Sequence, residues 1–298
     1  MVTIKVAIIS DIHGNSVALK EVLKDAKLNN VDEYIFSGDL VNDLPFGNET
    51  LEIVKSTSDK VLKGNKEQYL IEYEDERYDW ENIQFKNTRF MYDELTEENK
   101  AYIRNLPHYM HLEYEGVKIL VAHGSPKSVE EQINKWNTEL IEKYAKDLEE
   151  DVLIFGHTHE KMWYENVENK LIINAGCSGV SPYYMGKAEY VILTINNGKI
   201  DNIDLRLIDY DIELVKQKII ESGILTVDKV LMNLTYCGIN GNGLARHNFF
   251  KEAKMLQLER YGKWYQDGAK GIYTYFKLYD DDIWLDLGKK YEEYFVFK

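Results

Sequence analysis

The sequence predicts a layered α/β fold, and three observations predict it. Short apolar runs of Val, Ile, Leu and Phe recur up to residue 209, each too short for a helix and most closed by a glycine. Stretches with apolar residues at helical spacing alternate with these runs, the pattern of strands joined by right-handed crossovers. Near Asp209 the alternation stops, and the remaining chain is aromatic-rich and less periodic.

The first run, Val6-Ala7-Ile8-Ile9, ends in Ser10-Asp11-Ile12-His13-Gly14-Asn15. It reads as a buried central strand that delivers Asp11 and His13 at its C-terminal tip. Taken alone, Asp11 could equally cap the following helix, because aspartate is a common N-cap. A helix is predicted over 16–29, with Val17, Leu19, Val22, Leu23 and Ala26 on one face and Asn15 or Ser16 as cap. The second strand, 34–37, ends at Gly38-Asp39. A helix over 48–57 follows, then a third strand over 60–63 that ends at Gly64-Asn65.

From 67 to 106 the chain is polar and helical in pattern, with Trp80, Phe85, Phe90, Met91 and Leu95 as its buried positions and Thr96 at a helix start. Glu72, Glu74, Asp75 and Glu76 form a solvated face. Strands over 109–114 and 117–122 come next, the second ending at His123-Gly124. A helix over 128–148 leads to a strand over 152–155, closed by Gly156-His157-Thr158-His159. Strands over 161–167, 170–174 and 189–195 follow, and Asn197-Gly198 turns the last into a hairpin with 199–208. An amphipathic helix over 211–221, with Ile212, Leu214, Val215, Ile219 and Ile220, opens the tail.

Composition narrows the function. A formal net charge of −15 argues against a broad grip on a nucleic-acid backbone, which depends on lysine and arginine contacts releasing counterions. Cys177 and Cys237 lack CxxC spacing and are too few for a disulfide framework, which suits a reducing compartment. No run approaches a membrane span or a signal segment, so the expectation is a cytoplasmic protein with no membrane partner.

Lining up the strand ends gives Asp11 and His13, Asp39, Asn65, His123, and His157 with His159. In an open α/β sheet the functional crevice lies beyond the carboxyl ends of the strands. Five separate stretches therefore deliver candidate ligands to one edge, and four of the seven histidines fall there. Carboxylate, imidazole and amide oxygen together suit manganese, iron or zinc better than calcium or magnesium. Two such ions can clamp a phosphoryl group and generate a nucleophile from water.

D-I-H-G-N, G-D-L-V, G-N-K-E, A-H-G and G-H-T-H resemble, in type and order, the motifs of the calcineurin-like metallophosphoesterases, most closely the compact bacterial and archaeal branch. The resemblance covers roughly residues 1–209, with 210–298 as a C-terminal extension, a cap or dimerisation element. It implies a four-layer αββα sandwich with two metal ions. Carried over by position, Asp11, His13, Asp39 and His159 would hold the first ion and Asp39, Asn65, His123 and His157 the second, with Asp39 bridging. Asn174-Ala175-Gly176-Cys177-Ser178 resembles the family's strand-end N-P-G-S segment, and Cys177 reads as a small packing residue.

Many members of that family have histidine after the asparagine, where it protonates the leaving group; this chain has Lys66. A lysine, with an ordinary pKa near 10.4, is a weak acid at neutral pH but a good positive charge. That favours a phosphoanhydride or activated phosphodiester, including dinucleoside polyphosphates, hydrolysed by metal-hydroxide attack with Asp39, Asn65, Lys66 and His123 as catalytic residues. The expected partner is a small phosphorylated substrate such as a nucleotide. A metal-dependent nuclease and a non-catalytic binding scaffold are the alternative readings.

The tail carries Tyr236, Phe249, Phe250, Tyr261, Trp264, Tyr265, Tyr273, Tyr275, Phe276, Tyr279, Trp284, Tyr291, Tyr294 and Phe295, a composition suited to a core or a homo-oligomer interface. A sharper reading makes it a cap whose rings stack on a base. Gly238-Ile239-Asn240-Gly241-Asn242-Gly243 follows no strand and is not read as a nucleotide loop. Arg246 and His247 reach a substrate phosphate only if the tail folds back; His108 and His111 read as structural.

Overall fold

Alternation along β1 (Thr3–Ile9) sets the layers: Val6 and Ile8 join one buried cluster, Ala7 and Ile9 another. The computed structural model describes residues 2–74, 82–166, 168–240, 244–263 and 279–296. Trp80, Asp75, Glu76, Trp264, Tyr265, Tyr273, Tyr275, Phe276 and 241–243 of the glycine-rich stretch lie outside the described residues.

The elements follow in chain order. After β1 come α1 (Ser16–Leu28), β2 (Glu33–Phe36), α2 (Gly47–Thr57), α3 (Asn65–Glu72), α4 (Lys86–Glu94) and α5 (Glu97–Asn105). Next are β3 (Tyr109–Tyr114), β4 (Val117–Ala122), α6 (Thr138–Asp147), β5 (Val152–Phe155), β6 (Met162–Glu165), β7 (Leu171–Asn174), β8 (Lys187–Asn196) and β9 (Lys199–Asp209). The described part of the extension is helical: α7 (Ile212–Glu221), α8 (Ile224–Val227), α9 (Leu231–Ile239), α10 (Leu244–Tyr261) and α11 (Asp281–Lys290). Among the described residues, no helix is long and apolar enough to cross a membrane.

One sheet has the order β2-β1-β8-β9 and the other β3-β4-β5-β7-β6. β1 runs parallel to β2 and antiparallel to β8, whose hairpin with β9 turns at Asn197 (φ 50°) and Gly198 (φ 74°). In the second sheet β4, β5 and β7 are parallel, flanked by antiparallel β3 and β6. Val6, Ile8, Val191 and Leu193 face Ile119, Val121, Ile154 and Ile173 in a cluster between the sheets. On the outer faces, Ala7 and Ile9 pack with Leu19, Val22, Leu51 and Val54, while Leu153 and Phe155 pack with Ile141 and Tyr144. The result is the αββα sandwich.

Asn15 caps α1 by accepting from Ala18 N–H at 3.0 Å, and Thr96 caps α5 by accepting from Asn99 N–H. Phe85, Met91 and Leu95 are buried as predicted, and Phe90 is half-buried.

Three expectations need correction. Residues 60–63 form a single bridge, Phe36 to Val61, because Lys63 N–H turns away to Pro107 C=O (2.9 Å) and the chain leaves the sheet to start α3. The helix predicted over 128–148 begins only at Thr138, where Asn137 caps it; a turn closed by Ser125 N–H to Ser128 C=O (2.8 Å) and the loop beyond occupy the rest. On α7, Val215 and Ile219 are buried, but Leu214 and Ile220 are exposed.

In the extension, Leu231, Leu234, Phe249, Ile283, Trp284 and Tyr291 form their own cluster. Trp284 is 1% exposed and meets Phe249 edge-on, ring centroids 5.2 Å apart. Ile224, Leu225, Met232, Tyr236 and Ile239 instead join the cluster around α1, so the extension packs on the helical layer outside the first sheet.

Candidate metal centre

The strand tips converge. Asp11 and His13 follow β1, Asp39 follows β2, Asn65 opens α3, His123 follows β4, and His157 and His159 follow β5. The loops are stitched by backbone bonds: Asp11 N–H to Gly38 C=O (3.1 Å), His13 N–H to Asp39 C=O (2.9 Å) and Gly156 N–H to His123 C=O (2.8 Å). Asp11, His13, Asp39, His157 and His159 all have φ between 52° and 65°, in the left-handed region that non-glycine residues rarely enter. Such strain persists only where the surroundings impose it, and it clusters at functional sites.

Two glycines let the backbone come this close. A Cβ on Gly64 would sit 2.2 Å from Asp39 Oδ1, and one on Gly156 would sit 2.4 Å from Asp11 Oδ2.

The side chains form two facing groups around Asp39. On one side, His13 Nε2 lies 3.8 Å from Asp11 Oδ1, 3.9 Å from Asp39 Oδ2 and 2.9 Å from His159 Nε2. On the other, His123 Nε2 lies 3.3 Å from Asp39 Oδ1 and 3.0 Å from Asn65 Oδ1. The donor atoms of Asp39, His123 and His157 lie within 4.8 Å of one another, as do those of Asp11, His13 and Asp39. Asp11 Oδ1 is buried with no hydrogen-bond partner while Oδ2 accepts from Ser10 Oγ (2.6 Å) and His157 N–H (3.0 Å). An orphaned carboxylate oxygen facing imidazole nitrogens fits a cation between them, and the nitrogen and oxygen donor set suits manganese, iron or zinc.

The charges are strongly coupled. Burial alone would drive His123 down, but the Asp39 carboxylate raises it to about 9. Burial and the neighbouring His123 push His157 down to about 4. Burial works to raise Asp11, yet His159 beside it holds the carboxyl well below the usual range. His123 Nδ1 points at Ser37 C=O (2.9 Å) and His157 Nε2 at Glu130 C=O (3.1 Å), contacts that fix the ring orientations.

Three residues around the site escaped the sequence reading or were placed at its margin. Glu67 is fully buried; its Oε2 accepts from Asp39 and Gly64 N–H and its Oε1 from Leu40 and Val41 N–H, all between 2.8 and 3.0 Å. Burial and the Asp39 charge raise its carboxyl to about 7. Its spacing after Gly64, a capping-box spacing, was the available signal. Asp43 was missed outright: Oδ2 is 3.1 Å from His13 Nδ1, close but not aligned as a hydrogen bond. Arg246 Nη2 reaches Asp43 Oδ1 at 3.1 Å, so the tail does fold back to the site.

Lys66 Nζ lies 3.3 Å from Asp43 Oδ2, beside the cavity at the strand tips. Cys177 is fully buried, its thiol directed at Asp11 C=O (3.2 Å) and its sulfur within 4.8 Å of donor nitrogens of His13 and His159. His111 is exposed beside Glu150 (2.7 Å), and His108 does not line the cavity at the strand tips.

Comparison with known proteins agrees with this architecture. An uncharacterized protein of Methanocaldococcus jannaschii, MJ0912, is 26% identical over 240 residues, which span 74% of this chain and 94% of that one. The metallophosphoesterase of Sphaerobacter thermophilus superposes with a TM-score of 0.65 at 22% identity, covering 79% of this chain and all of that one. The hypothetical protein PH1004 of Pyrococcus horikoshii OT3 superposes at 0.66 with 20% identity, covering 76% and 97%. Residues 4–198, which hold every candidate ligand, match the model of the calcineurin-like phosphoesterase superfamily domain, and the chain belongs to that superfamily.

Proposed function

We propose that the protein is a metal-dependent phosphoesterase that holds two ions, manganese, iron or zinc, and hydrolyses a small phosphodiester or phosphoanhydride such as a nucleotide. The observation that carries this reading is the position of Asp39, with Oδ2 turned to His13 and Oδ1 to His123 at the meeting of the two donor groups. Asp11, His13, Asp39 and His159 would hold one ion and Asp39, Asn65, His123 and His157 the other. When bound, two ions lower the pKa of water and offset charge on the phosphoryl oxygens.

The chain's own groups supply the rest. Lys66, at the cavity edge, places positive charge beside the phosphoryl group. The carbonyls of Ser37 and Glu130 keep His123 and His157 oriented. With lysine where a histidine acid would stand, the reading favours leaving groups that depart without a proton, which phosphates do better than alkoxides. The two unpaired cysteines suit the cytoplasm, where we place the protein.

The test is elemental analysis of the purified protein beside manganese-dependent hydrolysis of a chromogenic phosphodiester by wild type and Asp39→Asn. About two ions per chain and activity that collapses in the variant are expected. A folded wild type without metal, or hydrolysis indifferent to Asp39→Asn, overturns the reading and returns the scaffold alternative.

A further inference from the structure

Two cavities meet at one basic waist. The first, about 460 Å³, ends on the candidate ligands, including His13, Asp39, Asn65, His157 and His159. The second, about 710 Å³, extends away between α10 and the stretch from Gln84 to Thr88. Lys66, Arg246, His247 and Asp43 line both.

The charge along this path is unusual for the molecule. In a chain of net charge −15, the described lining of the second cavity carries Lys66, Arg246, Lys251 and Lys254 against Asp43 as its one carboxylate. His247, Lys251 and Lys254 recur at helical spacing, so α10 presents them on one face. Asp43 is buried and accepts from Arg246 (3.1 Å) while Lys66 stands 3.3 Å away, so both cations are held in place at the waist with one negative charge between them. A guanidinium matches phosphate oxygens with two parallel N–H bonds, and a row of ammonium groups tracks successive phosphates.

We propose that the second cavity is an anion subsite for a further phosphoryl group, so that the substrate is a chain of two or more phosphoryl groups with the scissile one at the candidate metal centre. The inference rests on the phosphoesterase reading for the position of the scissile group. Arg246, Lys251 and Lys254 lie beyond residues 4–198, so three of the four cations of the subsite come from outside the part that matches the superfamily model, while Lys66 comes from within it.

The test is calorimetric binding of two probes that differ by one phosphoryl group, adenosine monophosphate and the α,β-methylene analogue of adenosine diphosphate, to the full-length protein with saturating manganese. Lys251 is exposed and Lys254 half-buried, so the double variant Lys251→Ala/Lys254→Ala retains its fold. It is expected to bind the diphosphate analogue roughly tenfold or more weakly, the loss of at least one charge-assisted contact. The monophosphate changes by less than about twofold. Lys289→Ala/Lys290→Ala, an equal change of charge on exposed residues of α11, leaves both probes unaffected. The proposal is overturned if both probes weaken alike, if the diphosphate analogue is indifferent, or if the α11 variant matches the α10 variant. Binding needs no turnover, so failure of hydrolysis to depend on Asp39 counts against the catalytic reading and leaves this measurement standing.

Discussion

Glu67→Gln is the sharpest probe of how the site is held. The glutamate ties four backbone N–H groups together, two on each oxygen, and those of Asp39 and Gly64 share Oε2. A glutamine offers one oxygen, so whichever way its amide sits, two N–H groups face an NH₂. Leaving a buried donor unpaired costs about 1–3 kcal/mol, or about 2–6 kcal/mol for two. Against this, the substitution removes a carboxyl that burial and Asp39 hold up at about 7, and from the ordinary 4.5 that relief reaches about 3 kcal/mol. Net destabilisation is therefore at most about 3 kcal/mol, and the protein still folds.

The larger effect falls on geometry. Glu67 grips the amide of Asp39 itself, the residue that faces both donor groups. Loss of an outer partner of a metal site commonly costs about ten- to a hundredfold in metal affinity. The assay is competition with a chromophoric chelator for zinc or manganese, run beside urea unfolding of the same preparation. A folded Glu67→Gln protein whose metal affinity lies within about threefold of wild type would refute the assignment of Glu67 as a positioning residue.

Two further outcomes follow from other parts of the molecule. Burial raises the Asp228 carboxyl to about 6 although its Oδ1 accepts from Val230 N–H (3.2 Å) and Leu231 N–H (3.0 Å) at the start of α9. Because the folded value is the higher one, its contribution to stability is present below about 3.8 and lost as pH rises through about 6, about 3 kcal/mol in all. Asp228→Asn keeps the acceptor without the charge, so its urea midpoint should exceed that of wild type at pH 7.5 and the gap should close toward pH 4; a gap independent of pH contradicts this. Trp284→Ala empties the centre of the C-terminal cluster and should cost about 3–5 kcal/mol in thermal or urea unfolding, and a loss below about 1 kcal/mol would mean the cluster collapses without penalty.

What the sequence could reveal divides along physical lines. The strand tips were legible because a buried parallel strand is an apolar run, and Asp11, Asp39, His123 and His157 each stand where such a run stops. The helix over 128–137 was misread because its apolar spacing competes with the Ser125 to Ser128 turn, which no periodicity reports. Residues 60–63 have strand composition but lose their partner when Lys63 turns to Pro107. Glu67 shows only a capping-box spacing, which gives no hint of its grip on Asp39 N–H, and nothing around Asp43 in the sequence marks it as more than a solvated acid. Arg246 meets Asp43 across 203 positions of chain, a contact set by the docking of α9 and α10 and invisible to local pattern.

The division of candidate ligands between the two sheets has a mechanical consequence. Asp11, His13 and Asp39 hang from β1 and β2, while His123, His157 and His159 hang from β4 and β5. Ions seated among them would rivet one sheet to the other at a single rim of the sandwich. A ligand that binds only the folded protein adds RT ln(1 + [L]/Kd) to its stability, about 2.7 kcal/mol at a hundredfold excess over Kd. Chelation should then loosen the seam itself, and amide exchange in β1 and β5, whose Ile8 and Ile154 share the buried cluster between the sheets, should quicken together.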